Sequence, residues 1–588
     1  MWSVVCDPWL LVIGHGQLTT DTGIMINQMM ESDVRRNKLV TMWLAGAVLL
    51  ACVAPAAAKR PLTVDDLMAV RNVGEVQISP DGQRVAYVVH EADFTNNTYT
   101  SDVYVVSVEG GGPARFVRNL KLTPTSRSPR YWAHLRWSPD GRRLAFLSGR
   151  EGATEVYVMN LGGGEAERVT NSKTPVLGFE WSPDATKIAY TALDPPSEEE
   201  VRRQSEKEDV LIVGANAKMV RLWLCDLITG EATQLTRGDY SVEGFSWSPD
   251  NRHIAFAVQT TPDYINRWST KIAVISVQGG EPRYVVDRPG TNNEPRWSPD
   301  GQTIAFLSAG GRWDFIGNVN IHLVPASGGP VQALPFDEWV REYWWAADGR
   351  SLYFMADTGF STGLFSVSVR SGQVHRLTPE DKVYNWFSFS RDTSRLACLS
   401  QDAAHLPDVY VSPVAPIEPK RLTDINSQFT EFALGSVEPI RWNSTEGFRI
   451  EGLLVKPVGY EAGRRYPLLV YVHGGPIGNF HFSIFPQFGD HAIPMQAEPY
   501  PVQVFANLGY AVLLPHPRGG AGYGDRFRQA NVKDWGGGDY RDIIAGVDYL
   551  IERGIADPQR LGVMGASYGG YMTSWIITQT SRFQAAST

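Results

Sequence analysis

The middle of the chain repeats one hairpin seven times, and that repeat limits the possible folds more than any other feature. The copies are ISPDGQRVAYVV from Ile78, WSPDGRRLAFLS from Trp137, WSPDATKIAYTA from Trp181 and WSPDNRHIAFAV from Trp247, then WSPDGQTIAFLS from Trp297, WAADGRSLYFMA from Trp345 and FSRDTSRLACLS from Phe389. Their aspartates are Asp81, Asp140, Asp184, Asp250, Asp300, Asp348 and Asp392, separated by 59, 44, 66, 50, 48 and 44 residues. A period of about 40–50 residues marks a propeller blade. Within one unit an aromatic-ending strand enters a Pro-Asp-Gly turn, where Asp caps the turn and Gly takes positive φ. A second strand alternates with period two, as in Leu144, Phe146 and Ser148. A third (VYVMNL, LWLCDL, IAVISV) and a fourth (ERVT, TQLT, HRLT) complete the unit. A lone WSPDG fits an ordinary hairpin; seven in register predict a seven-bladed β-propeller, because a single blade cannot bury its faces alone.

The 66-residue interval holds an insertion. Ser197-Glu198-Glu199-Glu200 reads as a capping box, and Glu198 with Arg202 and Glu199 with Arg203 are expected i,i+4 pairs on a solvated helix. The glutamates could alternatively hold a substrate's N-terminal ammonium, although the surrounding residues lack the aromatic-rich character of such sites.

Hydrophobic residues make up 43% and charged residues 20%, so the chain is globular rather than disordered. A net charge of −9 without a basic run argues against nucleic acid as a partner. Four cysteines provide no disulfide framework, and Cys225 and Cys398 read as buried free thiols in strands.

Arg35, Arg36 and Lys38 precede an apolar run from Leu39 to Val53, then Ala56-Ala57-Ala58. This is a secretory signal pattern, too short for a membrane span. A start at Met29 or Met30 would give it ordinary length, so residues 1–58 are expected to be a misassigned start plus a signal peptide. Lipid attachment at Cys52 and a retained anchor are the alternatives. The expected location is periplasmic or secreted, with no stable membrane insertion after cleavage; oligomeric state is not readable.

From about Glu431 the pattern changes. FRIEGLLVKP, YPLLVY, YAVLLP and LGVM read as strands, and Asp539–Gly554 as a helix with Tyr540, Ile543, Ile544, Val547, Leu550 and Ile551 on one face. Strands alternating with helices predict a mainly parallel α/β sheet. Residues 59–430 are therefore assigned to the propeller and 431–588 to the α/β domain. In the latter, Gly565-Ala566-Ser567-Tyr568-Gly569-Gly570 lies between a strand and a helix, the context of a nucleophile elbow. Gly565, Gly569 and Gly570 fit the tight turn, Ser567 is the candidate nucleophile, and the Tyr568 amide is a candidate oxyanion donor. His473-Gly474-Gly475-Pro476 ends a neighbouring strand and can supply a second donor, with His473 positioning that loop.

HGGP, PRGGAGYG, WGGGDY and RLGVMGASYGGYMTSW together, with the opening LTVDDL and the SPDG repeats, resemble the prolyl oligopeptidase family of serine peptidases, most closely its acylaminoacyl-peptidase and dipeptidyl-peptidase branch. The likeness spans Pro61 to Phe583. It implies an α/β-hydrolase domain capped by a propeller that admits short peptides, with Ser567 as nucleophile and the Tyr568 amide and HGGP backbone, chiefly Gly475, as oxyanion hole. It implies no metal or organic cofactor. In such hydrolases an Asp or Glu and then a His follow the serine, yet no Asp, Glu or His follows Ser567 here. The expectation is a chain truncated before those two residues, hence inactive as given, with the strand before Ser567 left as an apolar sheet edge. His473 and His516 lie at strand ends on the same side, but the resemblance gives neither the role of base. An inactive envelope propeller that only binds is the alternative; it would need neither the elbow nor the HGGP loop. An esterase is a third reading, against which the seven-bladed cap argues.

Overall fold

A serine and an aspartate two residues apart close most of the repeat turns. In the computed structural model, which describes residues 59–122, 133–208, 217–261, 268–312, 316–486 and 500–588, Ser79 Oγ donates to Asp81 (2.5 Å) and accepts the Arg84 amide (2.9 Å), while Asp81 accepts the Gln83 amide (3.0 Å). The serine–aspartate bond recurs at Asp140, Asp184, Asp250, Asp300 and Asp392. The sixth copy has Ala346 in place of the serine, and Asp348 alone accepts the Arg350 amide (2.9 Å). The residue after the aspartate is left-handed in all seven: glycine at 82, 141, 301 and 349, and Ala185, Asn251 and Thr393 elsewhere. The turn geometry therefore survives loss of its glycine, because the side-chain bonds around it remain.

Each turn starts a sheet of four antiparallel strands, from Asn72–Ile78, Arg84–Asp93, Thr98–Ser107 and Ala114–Val117 in the first blade to Val383–Phe389, Arg395–Gln401, Asp408–Pro413 and Lys420–Arg421 in the seventh. The fold is a seven-bladed propeller followed by an α/β-hydrolase sheet. The alternation within each second strand sends successive residues to different neighbours. Leu144 and Phe146 pack against the first blade, whereas Ala145 and Leu147 pack against the third.

The repeat's tryptophan ties blades together. Trp137 Nε1 donates to the Gln77 carbonyl (3.0 Å), Trp181 to Arg136 (3.2 Å) and Trp345 to Arg296 (3.1 Å), in each case reaching back to the preceding blade. The first blade has Ile78 at this position. Its junction with the seventh is made instead by the Ile78 amide on Ser388 Oγ (3.1 Å), the Arg391 amide on the Pro80 carbonyl (3.0 Å) and a shared apolar cluster. Every blade is built from four consecutive strands, so the ring closes without a strand exchanged between its ends.

The insertion forms a helix over Glu198–Ser205 with both capping-box bonds. Its ion pairs differ from the expected ones. Arg202 pairs with Glu199 (2.6 Å) and Glu206 (2.5 Å), and Arg203 with Glu208 (3.1 Å). The chain folds back after Ser205, the Glu208 amide bonding the Arg203 carbonyl (2.9 Å), which brings Glu208 within reach. Glu200 is held by Lys218 (2.5 Å) and the cap, so these carboxylates are already engaged. Cys225 and Cys398 are buried free thiols, and burial pushes the Cys398 thiol up to about 12.

The second sheet comprises β1 (Val437–Asn443), β2 (Arg449–Val455), β3 (Tyr466–Val472), β4 (Ala511–His516), β5 (Ala556–Gly565) and β6 (Ala585–Ser587), in the order β1-β2-β4-β3-β5-β6. Strands β4, β3, β5 and β6 run parallel. Helices α2 (Gly538–Glu552) and α3 (Tyr568–Gln579) cover one face through Ile543, Val547, Leu550, Met572 and Ile576, and α1 (Val502–Asn507) lies on the other. The strand before Ser567 is not an edge: β6 pairs with it at Gly562–Ala585, Val563–Ala586 and Met564–Ser587. The Gln584 amide on the Leu561 carbonyl (2.8 Å) starts this ladder and the Tyr500 hydroxyl bonds the Ser587 carbonyl (3.1 Å) at its end, so a tail without apolar pattern is recruited chiefly by hydrogen bonds. The expected misassigned start and signal segment lie outside the described residues.

Replacing Trp181 separates two contributions. Trp181→Phe keeps most of the buried ring and loses one hydrogen bond, an expected cost of about 1 kcal/mol. Trp181→Ala also leaves a cavity and is expected to cost about 3–5 kcal/mol. Urea unfolding of both variants checks the order.

Candidate active site

Strand β5 ends at Gly565 and helix α3 begins at Tyr568, leaving two residues to reverse the chain. Ser567 occupies that turn at φ 60°, ψ −122°, a conformation that costs a non-glycine residue energy and is stable only when its surroundings enforce it. Two glycines provide the enforcement. A Cβ on Gly565 would lie 2.5 Å from Gly569, and one on Gly569 would lie 3.0 Å from the His473 carbonyl and closer still to that of Val472. The elbow is therefore pressed against the C-terminal end of β3, where the HGGP loop begins. Ser567 is exposed, and its hydroxyl has no hydrogen-bond partner among the described residues. Tyr568 is the first residue of α3, and the amide of a first helical residue has no acceptor within its helix.

The HGGP loop leaves β3 in a tight turn. Gly475 has φ 120°, and a Cβ there would meet the Gly478 amide at 2.7 Å. His473 is fully buried, and its Nδ1 bonds the Gly474 carbonyl (2.8 Å), fixing the peptide that precedes Gly475. Burial holds the His473 imidazole down to about 4, so it is neutral. His516, at the end of β4, is also fully buried. Its Nε2 accepts the Phe480 amide (2.9 Å), and its Nδ1 faces the Tyr523 hydroxyl (2.9 Å), which donates to Glu451 (3.1 Å). With Nε2 accepting, Nδ1 carries the proton and donates to Tyr523. Burial, reinforced by the neighbouring histidines, keeps His516 far below its usual range. Both nitrogens are engaged, so His516 is a structural strut.

The sequence reading missed what lies beneath the elbow. The Tyr568 hydroxyl donates to Asp539, which also accepts the amides of Gly536 (2.9 Å) and Tyr540 (2.8 Å). The sequence reading starts the helix at Asp539; it starts one residue earlier, and the Asp539 carboxylate is buried under the candidate nucleophile's neighbour. Burial raises the Asp539 carboxyl above the usual carboxylate range and the Tyr568 phenol far above its own. Trp535 packs on Tyr568 (5.2 Å between centroids), and Trp575 Nε1 donates to the Gly536 carbonyl (2.8 Å). The WGGGDY segment thus clamps the first turns of α3. Its compact glycine-aromatic composition was the available signal. Arg518, also unassigned from sequence, is almost wholly buried. It grips Asp542 through its amide and Nε (both 2.9 Å) and Nη2 (2.8 Å), tying the end of β4 to α2. Among the described residues no group of three or more His, Cys, Asp or Glu side chains could hold a metal ion.

Comparison with known proteins gives consistent matches. Residues 497–588 match the prolyl oligopeptidase family, and residues 73–199 the TolB β-propeller domain. The chain is 31% identical over 574 residues to the peptidase YuxL of Bacillus subtilis, covering 90% of this chain and 82% of that protein. It is 26% identical to dipeptidyl-peptidase 5 of Porphyromonas gingivalis, covering 92% and 80%. Among solved structures it is similar to an acylaminoacyl peptidase complexed with Z-Gly-Gly-Phe-chloromethyl ketone (TM-score 0.71, 21% identity, 89% and 78% covered). It is also similar to the Pyrococcus horikoshii acylaminoacyl peptidase (TM-score 0.71, 20% identity, 90% and 78% covered).

Two outcomes follow from this geometry. Gly569→Ala places a methyl group against two backbone carbonyls that cannot rotate away, and thermal unfolding should show a loss of about 3 kcal/mol or more. The depressed pKa of His473 fixes a sign. Its folded value of about 4 lies below the ordinary 6.5, so its stabilising share is full above pH 6.5 and is lost as pH falls through 4. Imidazole NMR of selectively labelled protein should show His473 and His516 still neutral at pH 5, with His473 protonating only near pH 4.

Proposed function

The chain belongs to the prolyl oligopeptidase family, and on that premise we propose that it is a serine peptidase that hydrolyses short peptides at Ser567. In this reading residues 59–430 screen the substrate and residues 431–588 carry the chemistry. One observation supports it above the others: Ser567 sits exposed on a strained elbow held against the start of the HGGP loop by two glycines.

The proposed mechanism follows from the geometry. The Ser567 oxygen attacks the scissile carbonyl carbon, and the carbonyl oxygen takes up negative charge. The Tyr568 and Gly475 amides, with Gly474 as the neighbouring donor, offer hydrogen bonds where that charge develops. Donors fixed before the reaction need no reorganisation during it. The clamp of Tyr568 on Asp539 and the bond of His473 to Gly474 supply that fixity. The names of the relatives suggest removal of units from the amino end of a peptide. The Glu198–Ser205 helix is a poor anchor for a substrate ammonium, since Glu199 and Glu200 already face Arg202 and Lys218. The leader-like residues up to Ala58 fit export, with a periplasmic or secreted place of action.

The serine needs a base and the base an orienting acid. No Asp, Glu or His follows Ser567 in the sequence, and His473 and His516 are buried in the bonds described. We assign neither role to His473 or His516, whose imidazoles lie fully buried in those bonds.

Fluorophosphonate labelling and peptide-anilide hydrolysis test the reading, run in parallel on the 588-residue chain and on the protein translated from its genomic reading frame. Labelling of the genomic product at Ser567, abolished in Ser567→Ala, is expected. A genomic product that neither labels nor hydrolyses would leave the binding-only propeller as the better reading. Robust turnover by the 588-residue chain would show that the base lies within these residues.

A further inference from the structure

The loop that carries the candidate oxyanion donors is held from the other domain. In the sixth blade, strands Ser351–Thr358 and Ser361–Ser368 are joined by a turn at 358–361. That turn and the two residues flanking it hold three of the four residues 479–482 directly and the fourth through His516. Asn479 Nδ2 donates to the Gly359 carbonyl (3.3 Å), and the Phe482 amide donates to the Phe360 carbonyl (2.8 Å). The Phe480 amide is held by His516, against which the Phe360 ring packs at 4.9 Å between centroids. His481 Nε2 lies 3.1 Å from Asp357 Oδ1 and 3.0 Å from Thr362 Oγ1, and it is fully buried.

Asp357 is the centre of this arrangement. It is buried in the blade, accepts the Thr362 hydroxyl (2.7 Å) and pairs with Arg341 through Nε (2.7 Å) and Nη2 (2.5 Å). A buried carboxylate with several donors is rigid in place, because moving any donor leaves charge unpaired in a poor solvent. The same blade approaches the loop's other flank. Glu338 accepts the amides of Gly522 (3.3 Å) and Gly524, the Gly359 amide donates to the Gly522 carbonyl (2.8 Å), and the Ala521 amide reaches the Gly478 carbonyl (3.3 Å).

We propose that the sixth-blade hairpin sets the position of the oxyanion-hole loop, with Asp357 and His481 as positioning residues acting across the domain boundary. The propeller would then be part of the catalytic apparatus as well as a screen. The inference rests on the reading of Ser567 and the HGGP loop given above. It assigns no contact between these residues and substrate. They act through residues 479–482, which follow the Gly475 turn directly. A displacement of about 1 Å in a donor suffices to cost about 10²-fold in rate.

Two measurements on His481→Ala, His481→Gln and Phe360→Leu test it. The first needs no catalysis: hydrogen exchange in the 588-residue chain. His481→Ala should raise exchange of peptides covering residues 474–482 by about tenfold, with blades one to four unchanged. His481→Gln keeps an amide donor toward Asp357 and should restore most of the protection. The second uses the genomic product. There kcat should fall about 10²-fold in His481→Ala with KM within about twofold, and recover in His481→Gln. Phe360→Leu, a milder change, should show the same pattern at smaller amplitude if His481→Ala does not fold. Unchanged exchange over 474–482 in both His481→Ala and Phe360→Leu would overturn the proposal, as would a rise in KM without loss of kcat. A wild type that neither labels nor hydrolyses would count against the peptidase reading alone, since the exchange measurement would still decide whether the hairpin holds the loop.

Discussion

A blade of four short strands has two apolar faces and no way to bury either by itself, and the rest of this molecule is arranged around that constraint. Seven clusters of buried residues occupy the seven junctions of the ring, each drawing from two adjacent blades. Leu144 and Ala145 are neighbours in sequence yet belong to different junctions. A blade is therefore stable only inside a closed ring, and closure comes chiefly from side chains because the first and last blades share no strand. The apolar seam containing Val76, Val85, Leu399 and Val409 meets that need, without the indole bond found at three other junctions.

How much of this was legible in the sequence depends on the range of each interaction. The turn at Ser79-Pro80-Asp81-Gly82 is closed by groups within five residues, so its chemistry and the blade count could be read directly. The elbow at Gly565–Gly570 is equally local. The Glu198–Ser205 helix was legible in its cap but not in its ion pairs, because a surface arginine chooses among several carboxylates within reach and the energies differ little. Tyr568 with Asp539 spans 29 residues and His481 with Asp357 spans 124. Neither leaves a spacing signal. The ladder between β5 and β6 escaped notice for another reason: it is made by main-chain groups, and Ala585, Ala586 and Ser587 have no apolar pattern to advertise a strand.

Charge is handled differently in the two halves of the candidate site. Beside the HGGP loop His473 and His516 are held neutral by burial, so their rings serve as directional hydrogen-bonding struts. Beside that loop lie two buried ion pairs: Arg518 with Asp542 within the hydrolase domain, and Asp357 with Arg341 within the propeller. Arg341 and His481 hold the Asp357 carboxyl well below the usual carboxylate range despite its burial, with the Thr362 hydroxyl adding to the same effect.

This division has a consequence for how the two domains depend on each other. A neutral strut such as His516 can be satisfied inside one domain, by the Phe480 amide and the Tyr523 hydroxyl. A buried carboxylate such as Asp357 holds its partners in place wherever they come from, and one of them, His481, comes from the loop that follows the candidate oxyanion-hole residues. The hydrolase sheet positions Ser567 through its own glycine contacts, but the loop facing Ser567 is anchored on the propeller through residues 479–482. The candidate nucleophile and the candidate oxyanion donors thus rest on different structural supports, and in the arrangement we propose the docking of the propeller brings the two into register.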